Sequence, residues 1–150
     1  MTTGGTNQDW QPGARTEREL VQAAMDGDAT AFSDLAEVRV NRMFAVARLI
    51  LRDDAAADDA IQDALVVAWR DLSALRDPDR LDAWLHRVLV HTCYRASQRA
   101  RRRIEVEGQI HPINEPRDPS DDSVLKDEIE RGFARLSVEH RTVLVLHHYL

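Results

Sequence analysis

Ile61, Ala64, Leu65, Ala68, Trp69 and Leu72 recur at i, i+3, i+4, i+7, i+8 and i+11. That period draws one continuous apolar stripe down a helix, and no strand can present those residues on one face. The spacing returns at Leu81, Trp84, Leu85, Val88 and Leu89. A looser version covers Thr16 to Asp26. Another starts at Asp28, a good N-cap, and runs through Phe32, Leu35, Val38, Met43, Phe44, Ala47, Ile50 and Leu51. Strand alternation is almost absent, so the fold class is all-α. Each helix has one face to bury, and a compact helical bundle ending near Arg103 meets that need. Both Trp69 and Trp84 fall on the faces assigned to its core.

Composition changes mark the boundaries. Residues 1–15 are rich in Gly, Thr, Asn and Gln and read as a disordered tail. The bundle occupies residues 16–103. From Glu105 to Asp122 the chain holds three prolines, one glycine and six acids against one arginine, so 104–123 reads as an acidic, Pro-rich linker. Helical spacing resumes near Val124, with Leu125, Ile129, Phe133 and Leu136. Ser137 then caps a last helix, with Glu139 in its first turn. The chain stops at Leu150 with that helix still running, so residues 124–150 are expected to be the start of an incomplete second module.

With 43% hydrophobic and 31% charged residues, the chain has the balance of a folded, soluble protein. A single cysteine, Cys93, rules out an intrachain disulfide, which fits a reducing, cytoplasmic setting. Its apolar neighbours make it a small core residue. The most apolar run, "MFAVARLIL", is short and carries Arg48, so no membrane insertion is expected. No nucleophile–base–orienter set and no Gly-rich phosphate loop stands out, and the chain does not read as an enzyme. The neighbouring His147 and His148 point apart on a helix and read as a solvated or interface pair.

Charge is segregated. Between Arg52 and Leu72 stand six aspartates and two arginines; between Arg76 and Arg103 stand eight arginines and three aspartates. Arg87, His91, Arg95, Gln98 and Arg102 follow one another at steps of three and four, a basic stripe suited to phosphates. The aspartates allow three readings. Asp54 with Asp58, and Asp59 with Asp63, have the i, i+4 spacing of the Asp-rich motif of isoprenoid-diphosphate enzymes, whose carboxylates hold magnesium. That chemistry needs a second carboxylate cluster and a long apolar cavity. The sequence supplies neither, and no metal or cofactor is expected. Asp53 and Asp54 sit at the helix start, where acids offset the helix dipole. Asp59, Gln62, Asp63, Val66 and Arg70 form a stripe opposite part of the core face, acidic with an aliphatic centre, which suits a basic partner helix. Asp71 has no assignment.

These residues carry a resemblance. "ADDAIQDALVVAW", Ala57 to Trp69, resembles the "AEDLVQETFLRAW" pattern of bacterial sigma factors of the extracytoplasmic-function (ECF) group. "RLDAWLHRVLVHTCYRASQRARRR", Arg80 to Arg103, resembles that family's next helix, and "LSVEHRTVLVLHHYL" resembles the opening of its C-terminal domain. The resemblance implies a sigma domain 2-like unit over residues 16–103 and the beginning of a domain 4-like unit over 124–150. It implies a function in promoter recognition and opening for transcription initiation. The partners implied are core RNA polymerase, through the clamp helices of its largest subunit, and promoter DNA. An anti-sigma protein covering both faces is a further candidate partner. Asp58, Asp59, Gln62 and Asp63, with Val66 on the same stripe, match the polymerase-binding helix. The loop Ser73 to Asp79 matches the base-capture loop, and Arg76, Arg80, Arg87, His91, Arg95, Arg99 and Arg102 fall on the DNA side. His91 stands where the family has Asn, Arg95 where Asp is common, and Ser137 where Pro is usual. The chain ends before the helix-turn-helix segments. The competing reading is a non-catalytic helical adaptor or DNA-binding regulator that keeps the sigma architecture.

Overall fold

The structure, a computed structural model, describes residues 15–108 and 124–149. The expected tail up to Ala14 and the linker from Gln109 to Ser123 lie outside the described residues, as does Leu150. The described residues form six α-helices, with no strand among them.

Local chemistry starts and stops each helix. In α1 (Glu17–Met25) the Thr16 hydroxyl accepts from the Glu19 amide, and the Glu19 carboxylate accepts from the Thr16 amide at 2.7 Å, a capping box. Gly27 turns the chain at φ 98°, a left-handed conformation that costs glycine little. The Asp28 carboxylate then accepts from the Thr30 and Ala31 amides and opens α2 (Ala29–Leu51), a helix of 23 residues. Arg52 ends α2 in the left-handed region, and the Asp53 carboxylate caps α3 (Asp54–Asp71) by accepting from the Ala56 amide at 2.7 Å. Two short 3-10 turns, Leu72–Ala74 and Pro78–Arg80, lead into α4 (Leu81–Glu107). That helix passes Arg103, where the apolar pattern placed its end. "IEVE" still favours a helix, and the first breaker is Gly108, which caps it in the left-handed conformation. After the linker come α5 (Val124–Arg135) and α6 (Val138–Tyr149). The Ser137 hydroxyl accepts from the His140 amide, as an N-cap should.

The core has two halves along the bundle. One gathers Val21, Leu35, Ala68, Leu72, Leu75, Leu81 and Leu85 from α1, α2, α3, the connecting loop and the start of α4, with Trp84 packed against it. The other joins Met43, Val46, Ala47, Ile50, Ile61, Leu89 and Cys93 from α2, α3 and α4. Val145 of α6 belongs to this second half, and Phe133 and Val138 pack beside it. Helix α6 is therefore docked on α2 and α4. Arg141 is buried in that seam, with no hydrogen-bond partner for its Nε among the described residues. Burial lowers the Arg141 pKa, and Arg52 lowers it further.

A polar clamp ties the helix starts together. The Arg39 guanidinium on α2 donates to the Asp82 carboxylate of α4 at 2.6 Å, to the Glu17 carboxylate of α1 and to the Leu35 carbonyl. Its burial opposes the charge, but the two carboxylates outweigh burial and raise its pKa.

Leu89 is fully buried where α2, α3 and α4 meet. Leu89→Ala is expected to cost about 2–5 kcal/mol of unfolding free energy in urea titrations, and a cost near zero would contradict this core. The Ala31 amide, and next Arg15, hold the Asp28 carboxyl below its usual range. A lowered pKa stabilises the fold above about pH 4, and that contribution is lost as pH falls through the shifted value. The difference in urea midpoint between the native chain and Asp28→Ala should therefore narrow between about pH 7 and about pH 3. A pH-independent difference would contradict the cap.

Candidate functional site

Small residues decide which way α3 faces. Ala57, Ala60, Ala64 and Ala68, at steps of three, four and four, are all buried. Their methyl groups let α2 and α4 approach closely, and the Thr92 hydroxyl of α4 reaches the Ala60 carbonyl at 3.2 Å. The buried face is thus centred on these alanines, with Ile61 the one large side chain buried beside them. Leu65 is half-buried, and Trp69, assigned to the core from its spacing, is 40% exposed. Its indole leans on Phe32 of α2 with ring centroids 5.2 Å apart, a tilted pair. Trp84 is half-buried against the core, closer to its expected place.

The opposite arc of α3 is open. Asp58, Asp59, Gln62, Asp63 and Val66 are all exposed, and Val66 is 69% exposed in the middle of the acids. The six aspartates divide by partner. Asp53 caps the helix, and Asp54 pairs with Arg48 at 2.8 Å. Asp71 pairs with its neighbour Arg70, whose guanidinium holds the Asp71 carboxyl below its usual range. Asp63 reaches Arg99 of α4 at 3.1 Å. Among the described residues, Asp58 and Asp59 enter no ion pair. No group of three or more potential ligands able to hold a metal ion occurs among the described residues.

The connection from α3 to α4 is a built turn. Leu72 and Leu75 anchor it in the core, and the Asp77 carboxylate accepts from the Asp79 amide at 3.0 Å. Asp79 in turn pairs with Arg18 of α1 at 2.5 Å. Arg76 and Arg80 stand exposed on this anchored loop. Along α4, Arg87, His91, Arg95, Arg99 and Arg102 are exposed, while Leu81, Leu85, Leu89 and Cys93 face inward. At 1.5 Å per residue, Arg87 to Arg102 spans about 22 Å, roughly the length of six nucleotides of one strand. The Asp63–Arg99 pair joins the acidic and basic surfaces. Such an exposed pair contributes only about 0.2–1 kcal/mol, so either partner can be drawn away by an external charge.

Two features have no counterpart in the sequence reading. Arg39 and its carboxylates are far apart in the chain. Tyr94 of α4 is 41% exposed on the polar side of its helix. An open cleft of about 420 Å³ beside it, between α4 and α6, is lined by Arg87, Val90, His91, Tyr94, Glu139 and Thr142. An aromatic ring on the hydrophilic side of an amphipathic helix was the one available signal. Cys93 is buried, and burial pushes its thiol up to about 12.

Asp59→Asn and Asp63→Asn are expected to leave the unfolding free energy within about 0.5 kcal/mol of the native chain. A larger loss would make the acidic arc structural. Cys93 should react with a thiol reagent only after denaturant is added, and rapid labelling of the native chain would contradict its burial.

The profile described as Sigma-70 region 2 matches residues 35–103, from within α2 to near the end of α4. The chain is 30% identical over 132 residues to the ECF RNA polymerase sigma factor SigM of Mycobacterium tuberculosis H37Rv, an overlap covering 87% of this chain and 66% of that protein. It is 31% identical, over the same shares, to the protein of the same name from the Erdman strain. The chain thus spans a little under two thirds of the length of these curated relatives. The profile covers the helices that carry both exposed surfaces, and the likeness runs beyond them through most of the chain: this chain belongs to the extracytoplasmic-function family of RNA polymerase sigma factors.

Proposed function

We propose that the chain acts in transcription initiation by binding core RNA polymerase with α3 and promoter DNA with the α3–α4 loop and α4. The segregation of charge carries this reading: an acidic arc with an exposed valine on one helix, and an exposed arginine arc on the next. Asp58, Asp59, Gln62, Asp63 and Val66 offer carboxylates around an apolar centre, which complements a basic helical surface such as the clamp helices of the largest polymerase subunit. Family membership supports that choice of partner.

The DNA side works by two kinds of contact. Arg87, Arg95, Arg99 and Arg102 present planar guanidinium groups that fit phosphate oxygens bidentately and fix the strand's path. Arg76 and Arg80 flank the anchored loop. A base that leaves the stack there can be held against the protein, so that the opened minus-ten element is selected by capture. Leu75 and the Asp77 cap hold the loop in shape beforehand, which lowers the ordering cost of capture. An anti-sigma protein that covered both arcs would block both steps.

Asp59→Arg and Asp63→Arg are expected to reduce capture of the chain by core polymerase to background, with circular dichroism unchanged. Undiminished capture would contradict α3 as the docking helix. Arg87→Ala and Arg95→Ala should each weaken promoter binding and lower the slope of log affinity against log salt by about 1. An unaltered slope would remove that residue from the DNA face.

A further inference from the structure

Arg141 sits on the inward side of α6, four positions before the buried Val145, and is itself only 8% exposed. Among the described residues its Nε has no hydrogen-bond partner and its guanidinium enters no ion pair. Ile50 and Leu51, the last residues of α2, belong to the same core half as Val138 and Val145 of α6. Arg52 follows Leu51 directly and is exposed, so a second guanidinium stands at the edge of this seam. We infer that Arg141 and Arg52 form a site for a phosphate group, either the free ion or a phosphomonoester, which closes the α2–α6 seam when bound. The inference does not depend on the polymerase and DNA readings.

A buried guanidinium with no counter-charge is costly, and an anion removes that cost. Burial lowers the Arg141 pKa and Arg52 lowers it further, as two like charges facing each other must. Glu139, two residues earlier, opposes this with a smaller influence, and its carboxylate is already engaged by Ser137. Positive charge therefore prevails in the seam. Two guanidiniums on different elements favour phosphate over carboxylate. A carboxylate brings one charge and two coplanar oxygens, enough for one guanidinium fork. A phosphomonoester brings nearly two charges at neutral pH and three acceptor oxygens set in different directions, enough for a fork from each side. A backbone phosphodiester of DNA brings one charge and fits less well. Arg141 also lies in the first turn of α6, the positive end of that helix dipole. A phosphate held there turns the repulsion between the two arginines into a bridge, so α6 docks more tightly when the site is filled.

The test uses the whole chain with inorganic phosphate, AMP and adenosine, in chloride buffer of constant ionic strength. Equilibrium dialysis of radiolabelled ligand reports binding, and hydrogen exchange of the α6 amides reports docking. The native chain is expected to bind phosphate or AMP at a single saturable site, to ignore adenosine, and to exchange more slowly in α6 when the site is filled. Arg141→Met and Arg52→Asn should each bind about ten- to a hundred-fold more weakly and lose the slowing, with circular dichroism unchanged. Methionine suits a buried position without any anion, and asparagine tolerates the left-handed backbone at position 52. Arg87→Ala, on the exposed arc of α4, should bind phosphate like the native chain. Tighter binding of AMP than of phosphate supports the site with a nucleotide as its ligand, and the reverse order supports it with the free ion. Absence of saturable binding to the native chain, full binding by Arg141→Met, or loss of binding in Arg87→Ala overturns the inference.

Discussion

The run of alanines at 57, 60, 64 and 68 is the constraint on which the rest of the molecule depends. A helix packs closest where its side chains are smallest, and dispersion contacts fall away steeply with any gap. With methyl groups on its buried face, α3 fits between α2 and α4 at a distance that lets Thr92 reach the Ala60 carbonyl. Burying that face leaves the other fully open. Asp58, Asp59, Gln62, Asp63 and Val66 are exposed because Ala57, Ala60, Ala64 and Ala68 are not. The larger Trp69 is then displaced to the edge, where it covers Phe32.

Two further arrangements keep the surfaces rigid. Arg39 gathers α1, α2 and α4 through Glu17, Asp82 and the Leu35 carbonyl. Leu72 and Leu75 pull the loop into the core half that Leu81 and Leu85 complete. A loop anchored at both ends can present Arg76 and Arg80 with little ordering left to do on binding. The α6 seam is of another kind. Val145 gains burial there, while Arg141 gives up water without a partner for its Nε among the described residues and faces the like charge of Arg52. Opposed contributions of that sort weaken the seam.

How far this was legible depended on whether the deciding physics was local. The caps at Asp28 and Ser137 could be read directly, since each acts on amides two or three residues ahead. The end of α4 was misjudged by four residues because the apolar stripe fades before the helix does, and only Gly108 stops it. Trp69 was misplaced because spacing weighs side chains by hydrophobicity, while close helix contact selects for smallness. The exposure of the acidic and basic arcs followed from charge and period alone. The Arg39 clamp could not be read, since its partners lie 22 and 43 residues away. Nor could the docking of α6, which depends on a surface formed by two other helices.

The central claim is that two adjacent helices face two different partners. A photo-crosslinking residue placed at Val66 or at His91, both exposed, tests it in a mixture of the chain, core polymerase and promoter DNA. The account predicts that position 66 labels the largest polymerase subunit and position 91 labels DNA. Labelling of DNA from position 66, or of no polymerase subunit at all, would contradict it.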